Sequence, residues 1–332
     1  MDERPDRFVV LTNAYPYPDA PHYGTFVLDQ VTHWRRAGVE VDLVFINGRK
    51  SRWNYLGGLT RWIGMMVHHG HKYDAIVVHH SYCCLMAKMF KPPELPVLYQ
   101  VHEGTIHFSK FNRLLVQIAT RAADAVVYVS DTLLSELRYP FEGAAIIPCG
   151  IDLDLFRPQS KEAARRAIEW DPDEEVILYA AKERKRYERF ELVVAAVDKL
   201  RAERPGLRLV RLEGAQREAV PLYLNGADVV VLASRGEGSP KIIKEALACN
   251  RPIVSLRVGA VPRLLEDVAS GFLSQETVSD LTSQLRKALA LRGIGTGRWK
   301  VESLSVKATA AALLEVCRAV AGRASHHRWA ER

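Results

Sequence analysis

Two glutamates, Glu237 and Glu245, stand eight positions apart in the stretch RGEGSPKIIKEA, residues 235–246, with Gly-Ser-Pro between them. A carboxylate accepts two hydroxyl hydrogen bonds well. Gly236 and Gly238 permit tight or left-handed backbone. Ser239 suits a helix N-cap and Pro240 the first helical position. The N–H groups of that first turn, from Lys241 onward, then lack intrahelical partners. With the helix dipole they form an anion site suited to a diphosphate. At ~1.5 Å rise per residue, Glu245 lies about one and a half turns into the helix. The two carboxylates therefore reach groups on opposite sides of a diphosphate, and a nucleotide sugar carries sugar hydroxyls on one side and ribose hydroxyls on the other.

Plainer chemistry competes. Lys241 and Glu245 are four apart, the spacing of a surface ion pair of small energy, and Glu237 alone reads as a solvated side chain. Paired carboxylates also serve glycosidases, whose outcome depends on carboxyl separation, but a hydrolase has no need of an anion site at a helix start.

The elements around this stretch must place it. Short apolar runs recur along the chain: RFVVLTN, VDLVFI, DAIVVHH, PVLYQVH, DAVVYVS and AAIIPCG, then EEVILYAA, LRLVRLE, ADVVVLAS and RPIVSL. Helical patterns lie between them, for instance over 23–37, where Phe26, Val27, Val31 and Trp34 share a face, and around 188–203, 239–249 and 276–290. Near-continuous apolar strands alternating with helices predict parallel sheets covered on both faces. The pattern restarts after DLDLFRPQSKEAARR. The fold class expected is therefore α/β, with two doubly wound Rossmann-like domains facing a cleft. Residues 1–158 form the first, joined by a helix at 305–322; residues 159–304 form the second; residues 323–332 are expected to be a flexible tail. Ligands of such sheets bind beyond the carboxyl ends of the strands. That rule gathers 12–24, 102–107, Ser130, 181–189 and 235–245 around the expected cleft.

Bulk properties narrow the class. The chain has 332 residues, 48% of them hydrophobic and 26% charged, which is ordinary for a folded domain pair. No apolar run approaches the ~18 residues that span a bilayer, and the charged start MDERPDR does not read as a signal peptide. The five cysteines are unevenly spaced and suggest neither a disulfide framework nor a zinc site, which fits a cytoplasmic protein. The net charge of +7 is scattered and carries no nucleic-acid signature, so no nucleic-acid partner is expected. HHGH at 68–71 reads as a solvated helix end, and no metal is expected. GRKSRWNYLGGLTRWIGMM reads first as a helix packing its apolar face, and second as an acceptor or membrane-surface patch. Cys249 reads as a small buried apolar residue.

The segments YPYPDAPHYGTFVLDQV, IIPCGIDLDLFRP and VPLYLNGADVVVLASRGEGSPKIIKEALACNRPIVSLRVGAVPRLL together resemble the retaining glycosyltransferases of family four, which have the GT-B fold, and among them the teichuronic acid biosynthesis type. The resemblance covers nearly the whole chain. It implies that Glu237 binds donor-sugar hydroxyls and Glu245 the ribose, while Gly238, Ser239, Pro240 and Lys241 cradle the phosphates. Gly24 and Thr25 fall in the first-domain loop that faces the diphosphate, and His102 near the donor sugar. SVKATAAALLEVCRAV is the helix that crosses back to the first domain.

Two positions depart from the family pattern. The family balances the leaving diphosphate with an arginine or equivalent and then a lysine. Lys185 takes the first place, and the second falls on Glu188, with Arg186 and Arg189 on either side. An arginine there binds phosphate bidentately. Glu103 follows His102 where the family has glycine. The resemblance implies a retaining, metal-independent transferase without a cofactor, using a UDP-sugar donor. The acceptor hydroxyl would belong to a polysaccharide, a lipid-linked intermediate or a small natural product, with peripheral membrane contact. Two other readings stay open: a GT-B nucleotide-sugar epimerase and a non-catalytic glycosyltransferase-like partner.

Overall fold

The computed structural model describes residues 4–21, 23–102, 109–179, 189–236 and 239–322. The chain divides into two compact units, residues 1–150 with 306–332, and residues 151–305.

The first unit runs β1 (Arg7–Thr12), α1 (Thr25–Arg36), β2 (Glu40–Phe45), α2 (Asn54–His69), β3 (Ala75–Val78), α3 (Ser81–Met89), β4 (Val97–Val101), α4 (Lys110–Ala122), β5 (Ala125–Tyr128), α5 (Asp131–Ser135) and β6 (Ala145–Ile146). Its six strands pair in the order β2-β1-β3-β4-β5-β6, all parallel. Alternation along β1 explains the layers. Val9 and Leu11 face a core with Trp62, Met66, Cys83 and Val116, from α2, α3 and α4. Phe8 and Val10 face the opposite core.

That opposite core holds Val27, Val31 and Trp34 of α1 with Ala310, Leu313, Leu314 and Cys317. The latter four come from the last helix of the chain, Val306–Val320, which packs on α1. The Trp34 indole N–H donates to the Ala310 carbonyl at 2.9 Å, and Arg318 pairs with Asp6 at 2.8 Å. Each fully buried Val or Leu here contributes about 1.5–3 kcal/mol. Gly150 lies where this helix begins, and a Cβ on it would stand 2.6 Å from the Val306 Cα.

The second unit runs α6 (Lys161–Ala167), β7 (Val176–Tyr179), α7 (Phe190–Arg201), β8 (Arg208–Arg211), α8 (Val220–Gly226), β9 (Val229–Leu232), α9 (Lys241–Ala248), β10 (Ile253–Leu256), α10 (Val261–Leu265), β11 (Gly271–Ser274) and α11 (Val278–Leu289), so the last helix, Val306–Val320, is α12. The strand order is β11-β10-β9-β7-β8, again all parallel. Ile177 and Tyr179 pack with α7 and α11; Val176 and Leu178 pack with α8, α9 and α10. A buried ion pair ties α6 to the sheet. Arg165 donates to Asp228 at 2.9 Å and to the Gly226 carbonyl at 2.8 Å, and Asp228 also accepts from the Val176 N–H at 2.7 Å and pairs with Lys161.

Two doubly wound parallel α/β units are thus present, and every one of the ten apolar runs holds a strand. The helix expected over 23–37 starts at Thr25 and ends at Arg36. The sequence reading missed β11. It has four residues, starts on glycine, and buries only Ser274, so no apolar run announces it.

Candidate functional site

In the second unit the loop after β9 leads into α9. Ser234 folds back on this loop, its hydroxyl accepting from the Gly236 N–H at 3.4 Å. Ser239 does not cap the helix, contrary to the expectation. The N-cap is Pro240, in extended backbone, and α9 begins at Lys241. The physical reason lies one turn along: the Ser239 hydroxyl accepts from the ammonium of buried Lys244 at 3.0 Å. Lys244 sits among the apolar side chains of α9, and such a charge requires a polar partner. With the cap residue a proline, the cap side chain makes no hydrogen bond to the first turn of α9. Glu245 is half-buried on α9. Glu237 and Gly238 lie outside the described residues, as do Lys185, Arg186, Glu188 and Glu103.

Arg189, at the head of α7, is placed by its own backbone: its N–H donates to the Ala233 carbonyl at 2.9 Å, which fixes it beside the loop after β9. Its guanidinium pairs with Glu276. Arg235 reaches the same carboxylate, donating from Nε at 3.2 Å and Nη2 at 3.0 Å. Two guanidiniums from beyond β7 and β9 therefore meet one carboxylate from beyond β11, all at the carboxyl edge of the sheet where ligands of this architecture bind. The sequence reading gave no role to Arg235, Glu276 or Lys244. Arg235 lay inside the stretch it singled out; Glu276 becomes placeable only once β11 is recognised.

In the first unit Gly24 has a φ of +70°, and a Cβ there would come within 2.2 Å of the Ala14 carbonyl carbon. Only glycine fits this close approach. Thr25, buried, begins α1 directly after it. The next residue, Phe26, lies against His102, with ring centroids 4.2 Å apart and planes tilted by 30°. So the structure brings the Gly24–Thr25 turn and His102 to one place.

His102 has both ring nitrogens engaged. Nε2 is 3.2 Å from Nδ1 of His79, and Nδ1 is 3.3 Å from the Cys149 sulfur. His79 is only 2% exposed, and burial pushes its pKa down to about 3. It is therefore neutral at pH 7. Its Nε2 is buried with no hydrogen-bond partner among the described residues. A buried N–H without an acceptor is the costlier orphan, so the Nε2 carries the lone pair and Nδ1–H donates to His102. That assignment leaves the His102 proton on Nδ1, toward Cys149. A depression beside His102 is lined by Phe26, Gln30, Gln100, Cys149 and Thr309.

His68 and His69 end α2, exposed to solvent, and His71 follows them in the next turn, also exposed. No three metal-ligating side chains converge among the described residues. Helix α2 buries Trp62 and Met66 in the core, while Trp53 just before it is exposed. Cys249 is fully buried in the apolar core of the second unit, and burial pushes its thiol up to about 12. Among the described residues no helix is long and apolar enough to cross a membrane.

Residues 1–155 match the family model described as Glycosyltransferase Family 4, and residues 174–290 match the one described as Glycosyl transferases group 1. The chain is thus glycosyltransferase-like in both units, resembling family four in the first and group 1 in the second. It is 29% identical to the D-inositol 3-phosphate glycosyltransferase of Segniliparus rotundus over 209 residues, 52% of this chain and 46% of that protein. It is 26% identical over 192 residues to a teichuronic acid biosynthesis glycosyltransferase, TuaC of Bacillus subtilis, covering 52% of this chain and 49% of that one. The chain spans about half the length of these curated relatives.

Among solved structures, the sucrose-phosphate synthase of Thermosynechococcus elongatus superposes with a TM-score of 0.78 at 17% identity, covering 96% of this chain and all of that one. The Anabaena HepE protein in complex with UDP and glucose gives a TM-score of 0.69 at 15% identity, over 94% and 99% of the two chains. The fold is GT-B. These likenesses do not single out the teichuronic acid type among family-four proteins.

Proposed function

We propose that the protein is a retaining glycosyltransferase that moves a sugar from a nucleoside diphosphate sugar, UDP-linked, to an acceptor hydroxyl. The observation that carries this reading is the cationic edge of the second unit. Arg189 and Arg235 converge there beside the loop that enters α9, whose N-cap is a proline with no side-chain hydrogen bond to offer the first turn. Guanidinium forks and the N–H groups of a helix start are suited to a diphosphate. The HepE complexes with UDP and with UDP-glucose support UDP as the carrier.

In this reading Glu245 binds the ribose and Glu237 the donor-sugar hydroxyls. Ser239, Pro240, Lys241 and Gly238 line the phosphates, and Gly24 and Thr25 keep the diphosphate-loop role that the resemblance implies. As the sugar departs, negative charge grows on the diphosphate. Lys185, with Arg186 or Arg189, and the α9 start oppose that charge; stabilisation of this kind is usually the largest catalytic contribution. No enzymic nucleophile is needed, since the departing phosphate can take the acceptor proton, and protein cations fill the role a metal would otherwise serve. His102 shapes the donor-sugar side. The acceptor belongs to a polysaccharide, a glycolipid or a natural product, and the reaction takes place in the cytoplasm.

Transfer to an acceptor panel, followed by NMR of the product's anomeric proton, tests the reading. It predicts a product with the donor's anomeric configuration and no transfer by Glu237→Ala. Inversion at the anomeric carbon, or near-normal turnover by that variant, contradicts it.

A further inference from the structure

Cys149 stands apart from the other four cysteines. Cys83, Cys84, Cys249 and Cys317 have no exposed surface and sit among apolar side chains. Burial pushes the thiols of Cys249 and Cys317 up, away from the reactive thiolate form. Cys149 keeps 9% of its surface, and its sulfur is 3.3 Å from Nδ1 of His102. The proton on that nitrogen points at the sulfur and favours a thiolate there.

A small space adjoins this pair. The depression beside His102 has a volume of about 20 Å³, and Cys149 lines it. One water-sized occupant needs ~10–15 Å³. Gln30 and Gln100 line the same space, only 6% and 4% exposed. The Nε2 of Gln30 and the Oε1 of Gln100 have no hydrogen-bond partner among the described residues. Leaving a buried donor and a buried acceptor unmade is costly. A space of this size brings both within reach of one occupant. A single hydroxyl answers them together: its oxygen accepts from the Gln30 N–H, and its hydrogen goes to the Gln100 oxygen. Asp29 also lines the space. Its carboxylate works against a thiolate at rest, whereas a neutral hydroxyl carries no such cost.

We propose that Cys149 is a modification site, oxidised by hydrogen peroxide to a sulfenic acid whose hydroxyl occupies this space. The sulfur attacks one peroxide oxygen. An S–O bond forms as the O–O bond breaks, and the sulfur gives up two electrons. The departing hydroxide combines with the thiol proton and leaves as water. Thiol and hydrogen peroxide thus become sulfenic acid and water, and a thiol reductant restores the cysteine. The Gln30 N–H and the Gln100 oxygen hold the new hydroxyl, and the His102 N–H steadies the sulfur as it reacts. A water in the same space satisfies the two glutamines but leaves the sulfur unchanged. Every residue involved belongs to the first unit, and the proposal does not depend on the transferase reading.

Trapping of the oxidised sulfur tests the proposal on the full chain. The folded protein is treated with hydrogen peroxide, quenched with catalase, and unfolded in urea with dimedone, which captures sulfenic acids. Tandem mass spectrometry then maps the adducts. Cys149 should carry the adduct about ten-fold or more above any other cysteine, and dithiothreitol added before the dimedone should abolish it. His102→Leu should slow the labelling roughly ten-fold, from the lost hydrogen bond to a charged sulfur, and Gln30→Leu roughly three-fold. Circular dichroism melting checks that the variants fold; if His102→Leu does not, Gln30→Leu and Gln100→Leu decide. Labelling of another cysteine first, equal labelling of all five, no adduct in the wild type, or wild-type rates in the folded variants overturns the proposal.

Discussion

Glu276 accepts two hydrogen bonds from Arg235, at 3.0 and 3.2 Å, through the same oxygen that pairs with Arg189. A carboxylate that holds two guanidiniums at the carboxyl edge of the sheet competes with any phosphate bound there. It also keeps the two cations close to each other until an anion arrives.

Glu276→Gln should therefore tighten UDP binding. The three side chains are partly exposed, so water screens the pair and the gain is small, roughly 1.5- to five-fold for ~0.2–1 kcal/mol. Isothermal titration with UDP at low salt reads it. Weaker binding would mean that Glu276 holds the arginines in the productive position rather than competing for them.

His79 makes the fold acid-sensitive. Its folded pKa of about 3 lies below the ~6.5 of an unfolded histidine. Above pH ~6.5 its contribution is complete. As pH falls below that, the unfolded chain takes up a proton that the folded chain does not, and stability drops by about 1.4 kcal/mol per unit until about pH 3. Urea unfolding at several pH values between 4 and 7 should show a slope shallower by close to one proton in His79→Gln than in wild type. Identical slopes would contradict the buried neutral assignment.

The Arg165–Asp228 pair supports the second sheet from underneath. Both side chains are buried, and Arg165 has further carbonyl partners at Gly226 and Pro172. Arg165→Ala leaves Asp228 with one fewer countercharge in a dry site and should cost about 3–5 kcal/mol, read by urea unfolding. A loss below about 1 kcal/mol would mean that Lys161 alone satisfies Asp228.

Gly24→Ala tests the turn before α1. The substitution forces a Cβ into the Ala14 carbonyl at a positive φ. The loop must shift, at a cost of roughly 1–3 kcal/mol. The melting temperature should fall, and transfer should fall further than stability alone explains; an unchanged melt would show that the turn opens freely.

Much of the architecture is legible in the sequence because parallel strands buried on both faces are written as continuous apolar runs. β1 and β9 are plain for that reason. β11 is not, since GFLS is short and half-buried, and Glu276 beyond it stayed invisible as a result. The dipeptide at 79–80 shows another limit. His79 points into the core, while the ring of His80 accepts the Tyr82 N–H at 3.3 Å and caps α3. Alternation along a strand decides which histidine goes inside, and the letters alone do not mark it. Ser239 was read as a cap by its type; the buried Lys244 that claims its hydroxyl only becomes its neighbour once α9 forms.

The central claim, a nucleoside diphosphate site in the second unit, is tested most directly by thermal stabilisation. Wild type and Glu245→Ala are melted with UDP, GDP, ADP, CDP and TDP and with their sugar conjugates. A ligand that binds only the folded state raises the apparent stability by about 2.7 kcal/mol at a hundred times its Kd. The account predicts a rise with UDP and UDP-sugars that is lost or much reduced in the variant, whose ribose contact is gone. No rise with any nucleotide, or an equal rise in both proteins, would contradict it.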